Sequence, residues 1–311
     1  MKNFRSYIII FFILFFSLSM LNSCHGIEIP PAEMESFSEV RTIKVNEEQS
    51  YYDDKGNRIE DFSLPVYEDC EKILENIGFS VMGENGKEYD SILKIEMSGT
   101  TLCDYYHDME TNTKALLYTG AQIDGNISIR ADNEDSVERD FFEVREPPTG
   151  TVFKPTIPSN APFDRLGWQK HLFLLLSDIW GMEILSKSLD IEGIGTLSIR
   201  KQVIKALEES EEPSSVDILI GILEDEEYEY YSTDVIAALG RKGEESAVPV
   251  IIEALSRGNS SLDRKAAAEA LGEIGSINAL DALKQALEED EDEVVKEACR
   301  EAIDIILGSG E

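Results

Sequence analysis

The chain has few of the residues that carry most enzyme chemistry. Its 311 residues hold three histidines and four cysteines. The histidines, His25, His107 and His171, are scattered, and residues 190–311 contain none. No CxxC pair, HExxH, GxSxG, P-loop or dinucleotide GxGxxG occurs, so the motifs imply no cofactor and no metal. Basic charge is also scarce: 28 Lys and Arg stand against 62 Asp and Glu, a net of −34. No stretch is basic, which excludes sequence-independent nucleic-acid binding through phosphates and leaves nucleic acid out of the expected partners.

The long hydrophobic run is confined to one end. Ile8–Leu21 is 14 residues without a charge, preceded by Lys2 and Arg5. That length suits a signal-peptide core and falls short of the ~20 residues of a membrane span. Leu21, Asn22 and Ser23 then lead to Cys24. This arrangement resembles the lipobox of bacterial-type lipoproteins, with leucine at −3, a small residue at −1 and cysteine at +1. The resemblance implies removal of residues 1–23, lipid attachment at Cys24, and an extracytoplasmic location in the cell envelope with the membrane as partner. Residues 24–38 are polar and proline-bearing, and read as a tether.

Residues 39–146 mix strand and helix signals. "EVRTIKV" alternates like a strand, and Asp54-Lys55-Gly56-Asn57 marks a turn. Val66, Cys70, Ile73, Leu74 and Ile77 fall at helical spacing, and Gly78 stops that helix before a short strand. Two longer strands follow, the second with Ala121, Ile123, Ile127 and Ile129 on one face and Gly120 and Gly125 as bulge candidates. "RDFFEVRE" adds another strand. The expectation is an α+β domain, one helix on a mostly antiparallel sheet. With Gly78, Phe79 and Asp90 at the strand entries, the segment resembles small αβ domains of exported lipoproteins in envelope assembly. Plain burial of Cys70 and a disulfide between Cys70 and Cys103 are both left open. His107, in "CDYYHDMET", reads as part of a polar loop, and His25 and His171 as tether and helix residues.

Five prolines in Glu146–Phe163 mark an inter-domain linker over 147–163. A helix over 164–189, carrying Leu172–Leu175, reads as a linking or capping element. Beyond it the chain repeats itself. Ala206-Leu207-Glu208, Ala238-Leu239-Gly240, Ala270-Leu271-Gly272 and Ala302-Ile303-Asp304 succeed one another every 32 residues. Val203, Val235, Ala267 and Cys299 share one position of that register, and Leu219, Ile251 and Leu283 another. Each unit holds two amphipathic helices, with Ser246 and Ser276 placed to cap the second. Asp263, Arg264, Ala267, Ala270, Leu271, Gly272, Ile274, Gly275, Ala279, Leu283 and Leu287 carry a pattern similar to HEAT-like repeats of the phycobilin-lyase type. The resemblance implies an all-α solenoid over residues 190–311, in which neighbouring units bury each other's faces.

The acidic runs Glu224–Tyr231 and Glu288–Glu293 occupy equivalent turns and lack the ligand order of a calcium loop. Bilin lyases and di-iron hydroxylases use similar repeats. The first would act inside a cell, whereas this chain reads as exported, and the second needs His-Glu pairs that residues 190–311 lack. The sequence therefore points away from an enzyme, toward a membrane-anchored scaffold or assembly factor that binds an envelope protein. The expected surface is a concave face of second helices bearing Asp217, Glu253, Asp281 and Gln285. The alternative places the activity in the α+β domain, on an envelope polymer or a partner's strand.

Overall fold

The computed structural model describes residues 31–308, apart from 54, 61–62, 84, 109–112, 132–134, 146–166, 192–195 and 259; for 102–108, 113–119, 145 and 196 it describes the backbone alone. The signal segment, Cys24, His25 and the proline-rich stretch 147–163 lie outside the described residues. Among the described residues no helix is long and apolar enough to cross a membrane.

Five strands form one sheet: β1 (Thr42–Tyr52), β2 (Ser80–Met82), β3 (Ser91–Asp108), β4 (Thr113–Ala131) and β5 (Ser136–Arg145). Their order is β2-β1-β3-β4-β5. The sheet is mixed: β1 runs parallel to both β2 and β3, and only β3–β4 and β4–β5 are antiparallel. The mostly antiparallel sheet expected from sequence is corrected at this point. The reason is the crossover through helix α1 (Val66–Ile77), which returns the chain to β2 in the direction of β1. Helix α1 buries the five residues its spacing marked, then ends at Gly78 with φ 115°. Asp90 pins the start of β1, its carboxylate accepting from the Arg41 and Thr42 amides at 2.9 and 2.7 Å.

The inner face of the sheet carries Ile43, Val45, Leu93, Ile95, Ile123, Ile127 and Ile129, all fully buried or nearly so. Gly125 sits in register opposite Phe141, whose ring lies 2.7 Å from where a Cβ would stand. The aromatic ring covers the glycine, so a side chain at Gly125 has no room. The register irregularity lies elsewhere, between Leu102 and Cys103 opposite Gly120. The polar loop expected at 103–110 is strand as far as Asp108. Cys70 is a free thiol, buried on α1 and pushed up by that burial. The Cys70–Cys103 bridge is therefore not formed; Cys103 lies on β3 past the end of its pairing with β1.

The expected single helix over 164–189 is two, α2 (Gln169–Trp180) and α3 (Glu183–Leu189), broken at Gly181 with φ 71°. Helix α2 packs on β4 and β5, whereas α1 packs on β1, β2 and α3. Trp180 sits edge-on to Phe37 and Phe79, with ring centroids 5.8 and 5.0 Å away. The Ile179 carbonyl accepts from the Glu33 and Met34 amides at 2.8 and 3.3 Å. The stretch read as tether is thus folded from Glu33 onward, and its Phe37 is fully buried.

A polar seam ties the sheet to the helices that follow. Glu143 on β5 lies 2.6 Å from Lys170 and 2.7 Å from His171, both on α2. Lys170 reaches on to Glu209, also at 2.6 Å, on helix α4 (Thr196–Glu209). The His171 ring stacks on Phe141. Burial raises the Glu143 carboxyl, but the hydrogen bonds to His171 and Lys170 outweigh it and hold the group below its usual value. A carboxyl depressed in the fold stabilises it above the unfolded value near ~4.3, and that contribution is lost as pH falls through the lower folded value. Glu143→Gln is therefore expected to cost about 1–3 kcal/mol at neutral pH. Chemical denaturation as a function of pH should show the gap between wild type and variant closing below roughly pH 4.

Candidate functional site

Helices α4, α5 (Ser214–Glu224), α6 (Ser232–Lys242), α7 (Val248–Arg257), α8 (Ser261–Ile274), α9 (Leu280–Glu289) and α10 (Glu293–Leu307) alternate as first and second members of the 32-residue unit. The register read from sequence is the register of burial. Val203, Val235, Ala267 and Cys299 are all fully buried, as are Leu219, Ile251 and Leu283. Burial pushes the Cys299 thiol up to about 11, which suits a core residue.

The two helix layers pack differently. First helices approach closely because small residues meet: a Cβ on Gly240 would stand 2.7 Å from the Ala270 Cβ, and one on Gly272 3.0 Å from the Ala302 Cβ. Gly240→Ala would gain up to ~1 kcal/mol of helix propensity. The Ala270 backbone, 2.8 Å away at Cα, blocks the added methyl, and overpacking of this kind costs about 1–3 kcal/mol. The variant is expected to be less stable than wild type, read as a lower urea midpoint at unchanged slope.

Second helices stand farther apart. A groove of about 420 Å³ lies between α5 and α7, lined by Leu223, Val250, Glu253 and Ala254. Another of about 600 Å³ lies between α7 and α9, lined by Leu255, Ala282, Gln285 and Ala286. Of the four residues expected on the interaction surface, Glu253 and Gln285 line these grooves, one each. Asp217 and Asp281 are exposed in the first turns of α5 and α9 and line neither. Glu253 pairs with Arg257 at 2.7 Å, and Gln285 donates to Glu289 at 3.0 Å.

Both grooves open onto the edge formed by the turns that precede the first helices. Glu226 and Glu229 stand at one mouth, Asp290 and Glu291 at the other. This edge is held by side chains that the repeat pattern alone does not reveal. Asp263, 8% exposed, accepts from the hydroxyls of Ser232, Thr233 and Ser260 at 2.8, 2.5 and 2.7 Å. Burial raises its carboxyl, but these three hydroxyls prevail and hold it below the usual carboxylate value. Arg264 meets Asp290 at 2.7 and 3.2 Å through two nitrogens. The available signal was the capping box Ser260-x-x-Asp263. Ser276 caps its 3₁₀ turn, accepting from the Asn278 amide at 3.2 Å. Ser246 caps nothing: the equivalent turn begins at Glu244 without a side-chain cap, and Glu245 instead accepts from Ser276 at 2.6 Å. Among the described residues no group of three or more His, Cys, Asp or Glu side chains is placed to hold a metal ion.

Residues 233–304 match the family model of HEAT repeats. That span takes in α6 through α10, the tightest part of the stack. The match takes in three of the four Ala-led triplets of the 32-residue period. No curated protein matches the chain. Among solved structures, human deoxyhypusine hydroxylase in complex with glycerol is similar at 30% identity and a TM-score of 0.36. The match covers 40% of this chain and 42% of that one, so the chain spans less than half of that protein's length.

Proposed function

We propose that this chain is an exported lipoprotein, anchored through Cys24, whose HEAT repeats form a short solenoid that binds a protein partner in the cell envelope. In this reading it is a scaffold or assembly factor, and neither an enzyme nor a nucleic-acid binder. The observation that carries it is the unequal packing of the two helix layers. The stacked units use their buried faces on one another and leave two open grooves, about 420 and 600 Å³, on the second-helix side. Glu253 and Gln285 line these grooves, and Asp217 and Asp281 stand on the same helix layer.

A second reading rests on β5. It lies at the margin of the sheet, and its outward Phe142 and Val144 are 60% and 44% exposed. Such a strand suits an envelope polymer or a partner strand added to the edge.

Co-purification of the full chain from native membranes separates the two. Glu253→Lys combined with Gln285→Lys is expected to lose the retained partner, whereas Phe142→Ser with Val144→Ser keeps it. The reverse outcome moves the activity to the sheet.

A further inference from the structure

The edge onto which the two grooves open carries a row of exposed apolar side chains. Tyr230, Leu262 and Val294 are 68%, 65% and 53% exposed. They succeed one another every 32 residues, so they occupy one position in three consecutive units. Leu262 and Val294 are the second residues of α8 and α10; Tyr230 holds the same place in a first turn tightened into the 3₁₀ segment Glu226–Tyr231. Exposed apolar residues scattered singly call for no explanation, but three at one register position form a line.

The line is set in negative charge. Residues 224–234 hold six carboxylates and no Lys or Arg, and residues 288–293 are all Asp or Glu. The cations near this edge are already engaged. Arg200 pairs with Glu227, Lys201 with Asp234, Arg264 with Asp290, Lys265 with Glu269 and Lys296 with Glu293, and Arg257, which lines both grooves, pairs with Glu253. Lys201 also lies 5.8 Å from the Tyr230 ring centre, a cation already placed against this aromatic face.

We infer that this edge docks a basic amphipathic helix of a partner protein. The inference rests on the scaffold reading above and names its surface and the chemistry of its partner. Packed helices stand roughly 8–10 Å apart, so the three side chains span about 16–20 Å. A helix rises about 10.5 Å over seven residues, so apolar residues recurring every seventh position match that spacing. The edge is made of helix starts and turns and offers no strand ladder, so a helix, whose backbone is internally satisfied, is the better fit. Its Lys or Arg side chains would reach the exposed Glu226 and Glu229 at one groove mouth and Glu291 at the other. A second copy of this chain fits poorly, because the same carboxylates would face each other.

The test uses the full mature chain and a labelled helical peptide with leucine at every seventh position and lysine at the flanking ones. Fluorescence anisotropy is read at low and high salt. The triple variant Tyr230→Ser, Leu262→Ser, Val294→Ser removes exposed side chains and changes no charge, so it leaves the fold and the overall attraction intact. It is expected to weaken binding at least about tenfold. A peptide of the same composition in scrambled order should bind both proteins equally weakly, and its leucine–glutamate counterpart should not bind. Equal affinity of wild type and triple variant would overturn the inference, as would tight binding of the glutamate peptide or a dimer that the triple variant abolishes. If the triple variant keeps the peptide while Glu253→Lys with Gln285→Lys still releases the envelope partner, the edge is wrong and the scaffold stands. If neither surface matters, both fail.

Discussion

Replacing Trp180 by alanine is expected to lower the unfolding free energy by about 3–5 kcal/mol, among the largest single effects available in this chain. Trp180 is 2% exposed and closes the end of α2 between Phe37 and Phe79, so its removal opens a cavity that three separate segments line. Each edge-on aromatic pair adds about 0.5–1.5 kcal/mol beyond its buried area. The loss should extend past the site. The buried apolar residues form one continuous cluster from Phe37 through the sheet and α2 to Ala302. Calorimetry should therefore show a single transition shifted to lower temperature, with sheet and repeats melting together. A variant in which the repeats melt at their wild-type temperature while the sheet falls away would show that the junction does not couple them. The same continuity argues for testing partners on the whole chain, since a fragment of residues 190–311 would expose the face of α4 that α2 covers.

Cys24→Ala is expected to move nearly all of the protein from the membrane fraction to the soluble one and to abolish fatty-acid labelling. Each buried CH₂ contributes about 0.8 kcal/mol, so two or three acyl chains anchor a protein firmly. Removing Lys2 and Arg5 takes the net charge from −34 to −36, which repels anionic headgroups. Recovery of wild-type protein from membranes with Met1–Ser23 still attached would overturn the lipoprotein reading.

The repeats were legible because their signal is doubled: a fixed period and small residues where helices touch. Gly240 and Ala270 announce close approach in the sequence and make it in the fold. Strand direction was not legible. Alternation along "EVRTIKV" marks which side chains face the core but is the same in parallel and antiparallel pairs, so the direction of β1 emerged only with the crossover through α1. Phe37 read as tether because its neighbours are polar; its burial depends on Trp180, far along the chain. The seam of Glu143, Lys170, His171 and Glu209 joins three segments with no common spacing, which no local pattern encodes. Glu253 and Gln285 fell on grooves because the 32-residue register carried them there, whereas Asp217 and Asp281 share a different register position at the helix starts.

The central claim is that the repeats, and not the sheet, hold a protein partner. Photo-crosslinking in intact cells tests it most directly, with a photoreactive residue placed in the full-length chain at Gln285 or at Phe142, both exposed positions. The account predicts a discrete protein adduct from position 285 and none from position 142. An adduct from 142 alone would contradict it.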